Sequence, residues 1–288
     1  MHSGNEDAEI LSQQRTGEWL VLRLKATSLA NAVSPGTSIE LRSGTGHTLT
    51  APVMRANAQS GTVDVLYRGD TPGLEHFAEK RPGERLTITG PIGKSFVRSD
   101  KTRTVLIGED LGIASILFLS SMLHEGDDRA PKPLVLLGTN STFPFRTRPS
   151  TILLPDIPEG VIACMPMLDE WGVPSRLATK SDFPGCFDGF VTQLGDAWLD
   201  SLGPEQLAEV EIFACGPTPM LKSTAALARK HNVACQVSLE EFMACAVGGC
   251  AGCTVLVQTD DGPAMKRVCV DGPVFDAYRV FAAATIYQ

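Results

Sequence analysis

Four cysteines fall within 25 residues near the C-terminus: Cys245, Cys250, Cys253 and Cys269. The first three read Cys245-Ala246-Val247-Gly248-Gly249-Cys250-Ala251-Gly252-Cys253, a C-x4-C-x2-C spacing. The fourth follows a hairpin predicted through Asp260-Asp261-Gly262. This is the spacing of a four-thiolate [2Fe–2S] site, in which one loop wraps the cluster and the last ligand arrives from a neighbouring strand. Gly248, Gly249 and Gly252 have no Cβ, so they can take positive φ and let the chain approach closely, with backbone amides turned toward sulfur. A structural zinc site is the main competitor. Such sites usually show two close cysteine pairs, whereas only Cys250 and Cys253 form a C-x2-C pair here. Cys164, Cys186 and Cys235 are read as small core residues.

The length of 288 residues favours two packed units with an appendage. A net charge of −8 leaves no basic surface for nucleic acid. The longest apolar run, Ile113 to Leu119, is far below the ~18–20 residues of a membrane helix. The N-terminus has no basic start followed by an apolar stretch. The expectation is a cytoplasmic protein with no membrane and no nucleic-acid partner.

Short strands separated by turns are predicted at Trp19–Leu24, Ser38–Leu41, Thr62–Tyr67 and Arg85–Thr89, a pattern that suggests a small antiparallel barrel. The pattern changes near Asp100. Thr104–Ile107, Leu134–Gly138 and Val210–Ala214 are apolar runs of the buried parallel type. Helices are expected at Ile113–His124, Phe190–Leu202 and Pro219–Lys230. Alternating strands and helices imply a parallel sheet covered on both faces, with ligands outside the carboxyl ends of its strands. Thr142 to Gly185 shows no clear period.

Ile212 to Lys222 reads as a strand, a tight turn at Cys215-Gly216-Pro217, and a helix start with free amides. Taken alone this is equally an ordinary strand-to-helix connection. C-G-P-x-x-M, however, resembles the motif of ferredoxin–NADP reductase-like flavoenzymes that holds a nicotinamide against a flavin. The segments Ser238–Cys245 and Lys266–Phe275 are similar to the electron-transfer subunits of NAD-dependent, two-subunit dihydroorotate dehydrogenases. The resemblance spans almost the whole chain and is most specific in the last 50 residues.

The resemblance implies a flavin-binding-type barrel over residues 1–98, a parallel α/β nicotinamide domain over 99–237 and a small [2Fe–2S] ferredoxin-like segment over 238–288. It further implies one cluster per chain, FAD, NAD as substrate, and an FMN-containing catalytic subunit in a heterotetramer. Electrons would pass between that flavin and NAD+ through the cluster and FAD. Cofactor contacts fall by motif on Pro52, Tyr67, Arg68 and Gly73, and on Gly108, Gly112, Cys215, Gly216 and Pro217.

The sequence departs from the family at two points. The barrel's R-P-x-S reads Ala51-Pro52-Val53-Met54, so the arginine expected on the FAD pyrophosphate is missing, and Arg55 or Arg68 would have to support it. The G-G-G-x-G loop reads Gly108-Glu109-Asp110-Leu111-Gly112, which puts two carboxylates where dinucleotide phosphates are expected. Two rival readings follow. One keeps the modules and changes the partner, as in small subunits of transhydrogenases or sulfide dehydrogenases. The other is a docking subunit that keeps the cluster and has lost flavin.

His47, His76, His124 and His231 fit no metal-ligand spacing with one another. Asp169-Glu170 and Asp127-Asp128 read as solvated turns, Ser120-Ser121 has no triad context, and no catalytic residue is expected.

Overall fold

The computed structural model describes residues 4–126 and 131–282. Its N-terminal part is a closed barrel of β1 (Gly4–Thr16), β2 (Trp19–Lys25), β3 (Ser38–Arg42), β4 (Thr48–Asn57), β5 (Thr62–Arg68) and β6 (Arg85–Ile92). Their order around the barrel is β1-β2-β5-β4-β3-β6. Short helices α1 (Thr27–Ala32) and α2 (Glu75–Ala78) fill two connections. Closure leaves no free sheet edge. Alternate residues such as Leu20, Leu22 and Leu24 point into one apolar core.

Two barrel strands escape the sequence pattern. β1 is almost wholly polar, yet it pairs with both β2 and β6, and a register break between Ile10 and Ser12 lets it bend from one to the other. β4 contains Pro52, and proline inside a strand is confined to edges and irregularities. Its pairing to β5 slips between Val53 and Arg55.

The second part holds β7 (Arg103–Glu109), α3 (Gly112–Gly126), β8 (Leu134–Thr139), β9 (Arg148–Pro149), β10 (Ala163–Cys164), α4 (Pro166–Glu170), β11 (Ser175–Thr179) and β12 (Phe187–Asp188). It continues with α5 (Val191–Asp200), α6 (Pro204–Leu207), β13 (Val210–Gly216), α7 (Thr218–His231) and β14 (Ala234–Leu239). A seven-stranded sheet runs β12-β11-β8-β7-β13-β14 and ends on the short C-terminal strand of residues 274–276; it is parallel through β14. Strand β7 shows why its sequence is apolar throughout. Val105 and Ile107 pack toward α5 and α7, while Leu106 packs toward α3 on the other face. The unreadable stretch from Thr142 to Gly185 resolves into pieces of two to five residues, too short to carry a period.

The last part comprises the hairpin β15 (Thr254–Thr259) and β16 (Gly262–Arg267), then α8 (Val268–Asp271), β17 (Val274–Asp276) and α9 (Ala277–Val280). The hairpin turns at Asp260-Asp261 as expected. The segment does not stay separate, however. β17 pairs antiparallel with β14 at the edge of the sheet, and Val268, Ala277 and Val280 join one sheet-face core.

Barrel and sheet are tied directly. Trp19 Nε1 donates to the Thr142 carbonyl at 2.6 Å, and Thr142 Oγ1 donates to Glu18 at 2.7 Å. Trp19, Leu66 and Ala114 form a small apolar core across the junction.

Candidate functional site

The cysteine loop runs from Cys245 to Cys253, and Cys269 is brought beside it by α8. Ala246, Gly248 and Ala251 have positive φ (54°, 79° and 56°). Gly249 and Gly252 do not use the freedom that a missing Cβ gives them. Two alanines take the left-handed conformation instead, and the smallest Cβ keeps that conformation to about 1–2 kcal/mol each. Gly248 is needed for space as well, because a Cβ there would lie 2.6 Å from Val270 Cγ2.

Backbone amides converge on sulfur. Cys250 N lies 3.4 Å from Cys245 Sγ, and Gly252 N lies 3.4 Å from Cys250 Sγ. The amides of Cys250, Val247 and Gly249 pull the Cys245 thiol down to about 6. Cys269 is pushed up to about 11 by burial and by Cys253 at its side. The sulfurs therefore fall into two couples, Cys245 with Cys250 and Cys253 with Cys269. Among the described residues, no three of them lie mutually within 4.8 Å. A single tetrahedral ion with Zn–S near 2.3 Å needs all four sulfurs about 3.8 Å apart. Two couples suit two metal ions better than one, so this donor set fits a two-iron centre. Cys250 is exposed, while Cys253 and Cys269 are buried. Arg267 clamps the loop by donating from Nη1 to the Gly248 carbonyl at 2.9 Å, and its amide is held by Asp271.

A cavity of about 640 Å³ opens beside this loop, between barrel and sheet. Its barrel wall is Thr48, Thr50 and Pro52 with the turn Thr71 to Leu74. Its sheet wall is Leu111, Ser115, Cys215 and Ser238. Leu239 to Ala244 complete the lining and lead straight into Cys245. The volume is that of an ordinary cofactor pocket. It has room for an isoalloxazine, and a Cβ placed on Gly73 would meet only open space.

The cofactor residues expected from motifs divide into three groups. Pro52, Gly73 and Cys215 line the cavity. Gly108, Gly112, Gly216 and Pro217 are not among the lining residues, and at Gly112 the start of α3 comes close to β13. A Cβ on Gly112 would sit 2.0 Å from the Cys215 carbonyl oxygen. Tyr67 and Arg68 are not among the residues that line the cavity. Tyr67 is 1% exposed inside the barrel core, with no partner for its hydroxyl among the described residues. Burial holds it well above the ordinary phenol range. Arg68 makes a forked pair with Asp70 at 3.1 and 2.8 Å and lies 5.3 Å over the Trp19 ring. Arg55 is likewise engaged elsewhere, bonding Met167 Sδ and lying 5.8 Å over Trp171. Strand alternation explains the arginine position, since Thr50 and Pro52 face the cavity while Ala51 and Val53 fill the barrel.

The two loop carboxylates are engaged as well. Asn140 Nδ2 donates to Glu109 at 3.0 Å, and Thr139 Oγ1 donates to Asp110 at 2.9 Å. Burial and the Asp110 charge push the Glu109 carboxyl up. Glu240 was missed by sequence reading. It lines the cavity and keeps an exposed surface, yet the protein packed around its carboxyl, then repulsion from Asp110 and Glu109, pushes it up to about 8. Burial, then Glu240, pushes the Cys215 thiol to about 12, so it stays protonated.

Among the other isolated residues, Asp169 is buried and accepts from Ser150 and Thr151, so it is no solvated turn. Asp127-Asp128 lies outside the described residues. His124 stacks on Trp171, and His231 bonds Asp196 at 2.7 Å. Asp196, Asp200 and His231 stand close enough for a cation, but the Lys230 ammonium already bonds both carboxylates.

Comparison with known proteins adds the following. Residues 240–281 match the family model described as the iron-sulfur cluster binding domain of dihydroorotate dehydrogenase B. The chain is 33% identical over 219 residues to a protein of Caldanaerobacter subterraneus subsp. tengcongensis named dihydroorotate dehydrogenase B (NAD(+)), electron transfer subunit. That alignment covers 75% of this chain and 74% of the relative. A homologue of that subunit in Aquifex aeolicus is 31% identical over 202 residues, covering 70% of this chain and 67% of its own. The fold is shared with a solved NADH-dependent reduced ferredoxin-NADP oxidoreductase at TM-score 0.74 and 20% identity, covering 95% and 89% of the two chains. It is also shared with the ferredoxin reductase of carbazole 1,9a-dioxygenase, at TM-score 0.61 and 20% identity over 80% and 67%.

Proposed function

Because this chain belongs to the family of dihydroorotate dehydrogenase B electron transfer subunits, we propose that it relays electrons between a catalytic partner and NAD+ through a [2Fe–2S] centre and FAD. The partner oxidises dihydroorotate to orotate on its own FMN, and two copies of each subunit form the complex. Residues 1–98 and 99–237 enclose FAD and the nicotinamide, and 238–288 hold the cluster. When bound, FAD supplies the exchange between an electron pair taken as hydride and single electrons, and the iron centre carries one at a time.

The chain's own residues perform the rest. Cys245 and Cys250 would hold one iron, and Cys253 and Cys269 the other. The inward-turned loop amides stabilise thiolate charge and so set the potential. The nicotinamide would enter where Gly108, Gly112 and Gly216 bring the ends of β7 and β13 together, with Cys215 and Pro217 at its edge. Asn140 and Thr139 hold the Glu109 and Asp110 carboxylates on protein donors and so moderate their repulsion of the dinucleotide phosphates. The observation that carries this reading is continuity. The cavity wall from Leu239 to Ala244 runs directly into the first thiol of the cysteine loop.

The deciding experiment is a cofactor inventory of the anaerobically purified complex, counting iron, labile sulfide, FAD and FMN per chain. Cys250→Ser should abolish the reducible iron chromophore and partner-dependent turnover, while NADH still reduces the bound flavin. Zinc in place of iron, or a cluster-loaded chain that takes up no FAD, would refute the proposal.

A further inference from the structure

The cavity between barrel and sheet has room for a flavin ring, but its wall does not suit phosphate. A phosphate or pyrophosphate is normally met by arginine, lysine or free backbone amides, above all at a helix N-terminus. Among the described residues that line this cavity there is no lysine, arginine or histidine. The charged side chains that do line it are Glu240 and Glu241, and Glu109 and Asp110 stand close enough to act on Glu240.

The groups able to compensate are committed elsewhere. Ala51, where an arginine is expected, is 1% exposed and fills the barrel. Arg55 is held by Met167 and Trp171, and Arg68 by Asp70 and Trp19. The Gly73 amide, in the turn of the barrel wall, already donates to Glu75 Oε2 at 2.8 Å. At the start of α3 the amides of Ile113 and Ala114 donate to the carbonyls of Asp110 and Leu111 at 3.2 and 3.1 Å. What remains is uncharged: the hydroxyls of Thr48, Thr50 and Thr71 beside Leu74, Leu111 and Met243. Such a wall suits a neutral, largely apolar ring with a few polar edges.

We infer that this chain holds its flavin by the ring end and gives the phosphates no seat, so the cavity does not favour FAD over the phosphate-free riboflavin. The inference rests on the FAD reading above and concerns only which part of the flavin supplies the affinity. Phosphate charge near Glu240 and Glu241 is repelled without being paired, and dissolved salt relieves that repulsion.

The test uses the full chain without its partner, cluster-loaded and stripped of flavin. It is titrated with riboflavin, FMN and FAD at about 0.05 M and about 0.5 M sodium chloride. Equilibrium dialysis gives each dissociation constant. Riboflavin should bind as tightly as FAD to within about fivefold, or more tightly, since no charge-assisted bond is lost with the phosphates. Raising the salt should leave FAD affinity the same within about threefold or strengthen it. FAD or FMN bound more than about fivefold tighter than riboflavin would overturn the inference and leave the FAD reading standing. So would FAD binding that weakens more than about threefold with salt while riboflavin binding holds, the mark of a cationic seat. A natural chain that binds none of the three flavins would overturn the FAD reading and this inference together.

Discussion

At the level of single residues, Glu240 combines enclosure with like charge. Its side chain has accessible surface inside the cavity, yet surrounding protein and the Asp110 and Glu109 charges raise its carboxyl to about 8. The unfolded chain gives the ordinary 4.5. Between these values the folded form holds a proton that the unfolded form has lost. The stability from this group is complete below pH 4.5 and is lost as pH rises through 8. Glu240→Gln removes the penalty. Since water in the cavity screens much of it, the expected gain at pH 9 is about 1 kcal/mol, or roughly 2–4 °C in the apparent melting temperature. At pH 4.5 there should be none. Melts of flavin-free, cluster-loaded protein at the two pH values check this, and an equal shift at both would contradict it. Gly112→Ala acts through backbone instead. Its Cβ meets the Cys215 carbonyl carbon and oxygen, which cannot rotate away, so a loss of about 1–3 kcal/mol is expected in the same melts at every pH. Neither residue role was legible beforehand. Glu240 owes its behaviour to residues more than 100 positions away, and the Gly112 contact exists only once two strands are aligned.

The cysteine loop and its hairpin show the same division among elements. Arg267 ends β16 and reaches back 19 residues to the Gly248 carbonyl, so the hairpin braces the loop. Arg267→Met removes that bond and a positive charge beside the thiolates. Iron loss to a chelator should then be several-fold faster, and the midpoint potential should fall by some tens of millivolts. Timed bleaching and a potentiometric titration measure the two, and a variant unchanged in both would remove Arg267 from this role. The C-x4-C-x2-C spacing and the Asp260-Asp261-Gly262 turn were readable because each is local and chemically specific. β1 and β4 were not, because a barrel stabilises a polar strand and a proline-bearing strand through pairing that no local pattern records. Tyr67 and Arg68 stand outside the cavity lining for a related reason. A motif gives a position in the chain, whereas strand alternation and the Asp70 carboxylate decided where those side chains go.

For the whole molecule, the three-part order was legible, but the way its parts close on one another was not. β17 returns from the cysteine segment to the sheet, while Trp19 and Arg55 fasten the barrel to the sheet domain. These contacts join the walls of the cavity to the segment that carries the cysteine loop. The cluster segment also carries exposed apolar side chains. Phe242, Val247, Leu256, Met265 and Val270 are all large, apolar and exposed, and all lie within the cluster segment around the exposed Cys250. Leu256 and Met265 sit directly opposite each other across the hairpin, so they form one continuous contact. With a net charge of −8 keeping the rest of the surface in water, this patch is where the catalytic subunit would bury area next to the cluster. Met265→Glu places a charge in that contact, far from every ligand thiol in sequence except Cys269. It should weaken association with the catalytic subunit at least ~10-fold, in line with charging the centre of an interface. Iron content and NADH-driven flavin reduction should stay as they are. Sedimentation of the mixed subunits across a concentration series reads the first effect and absorbance the other two. Full association with Met265→Glu would mean that the partner approaches the cluster from another side.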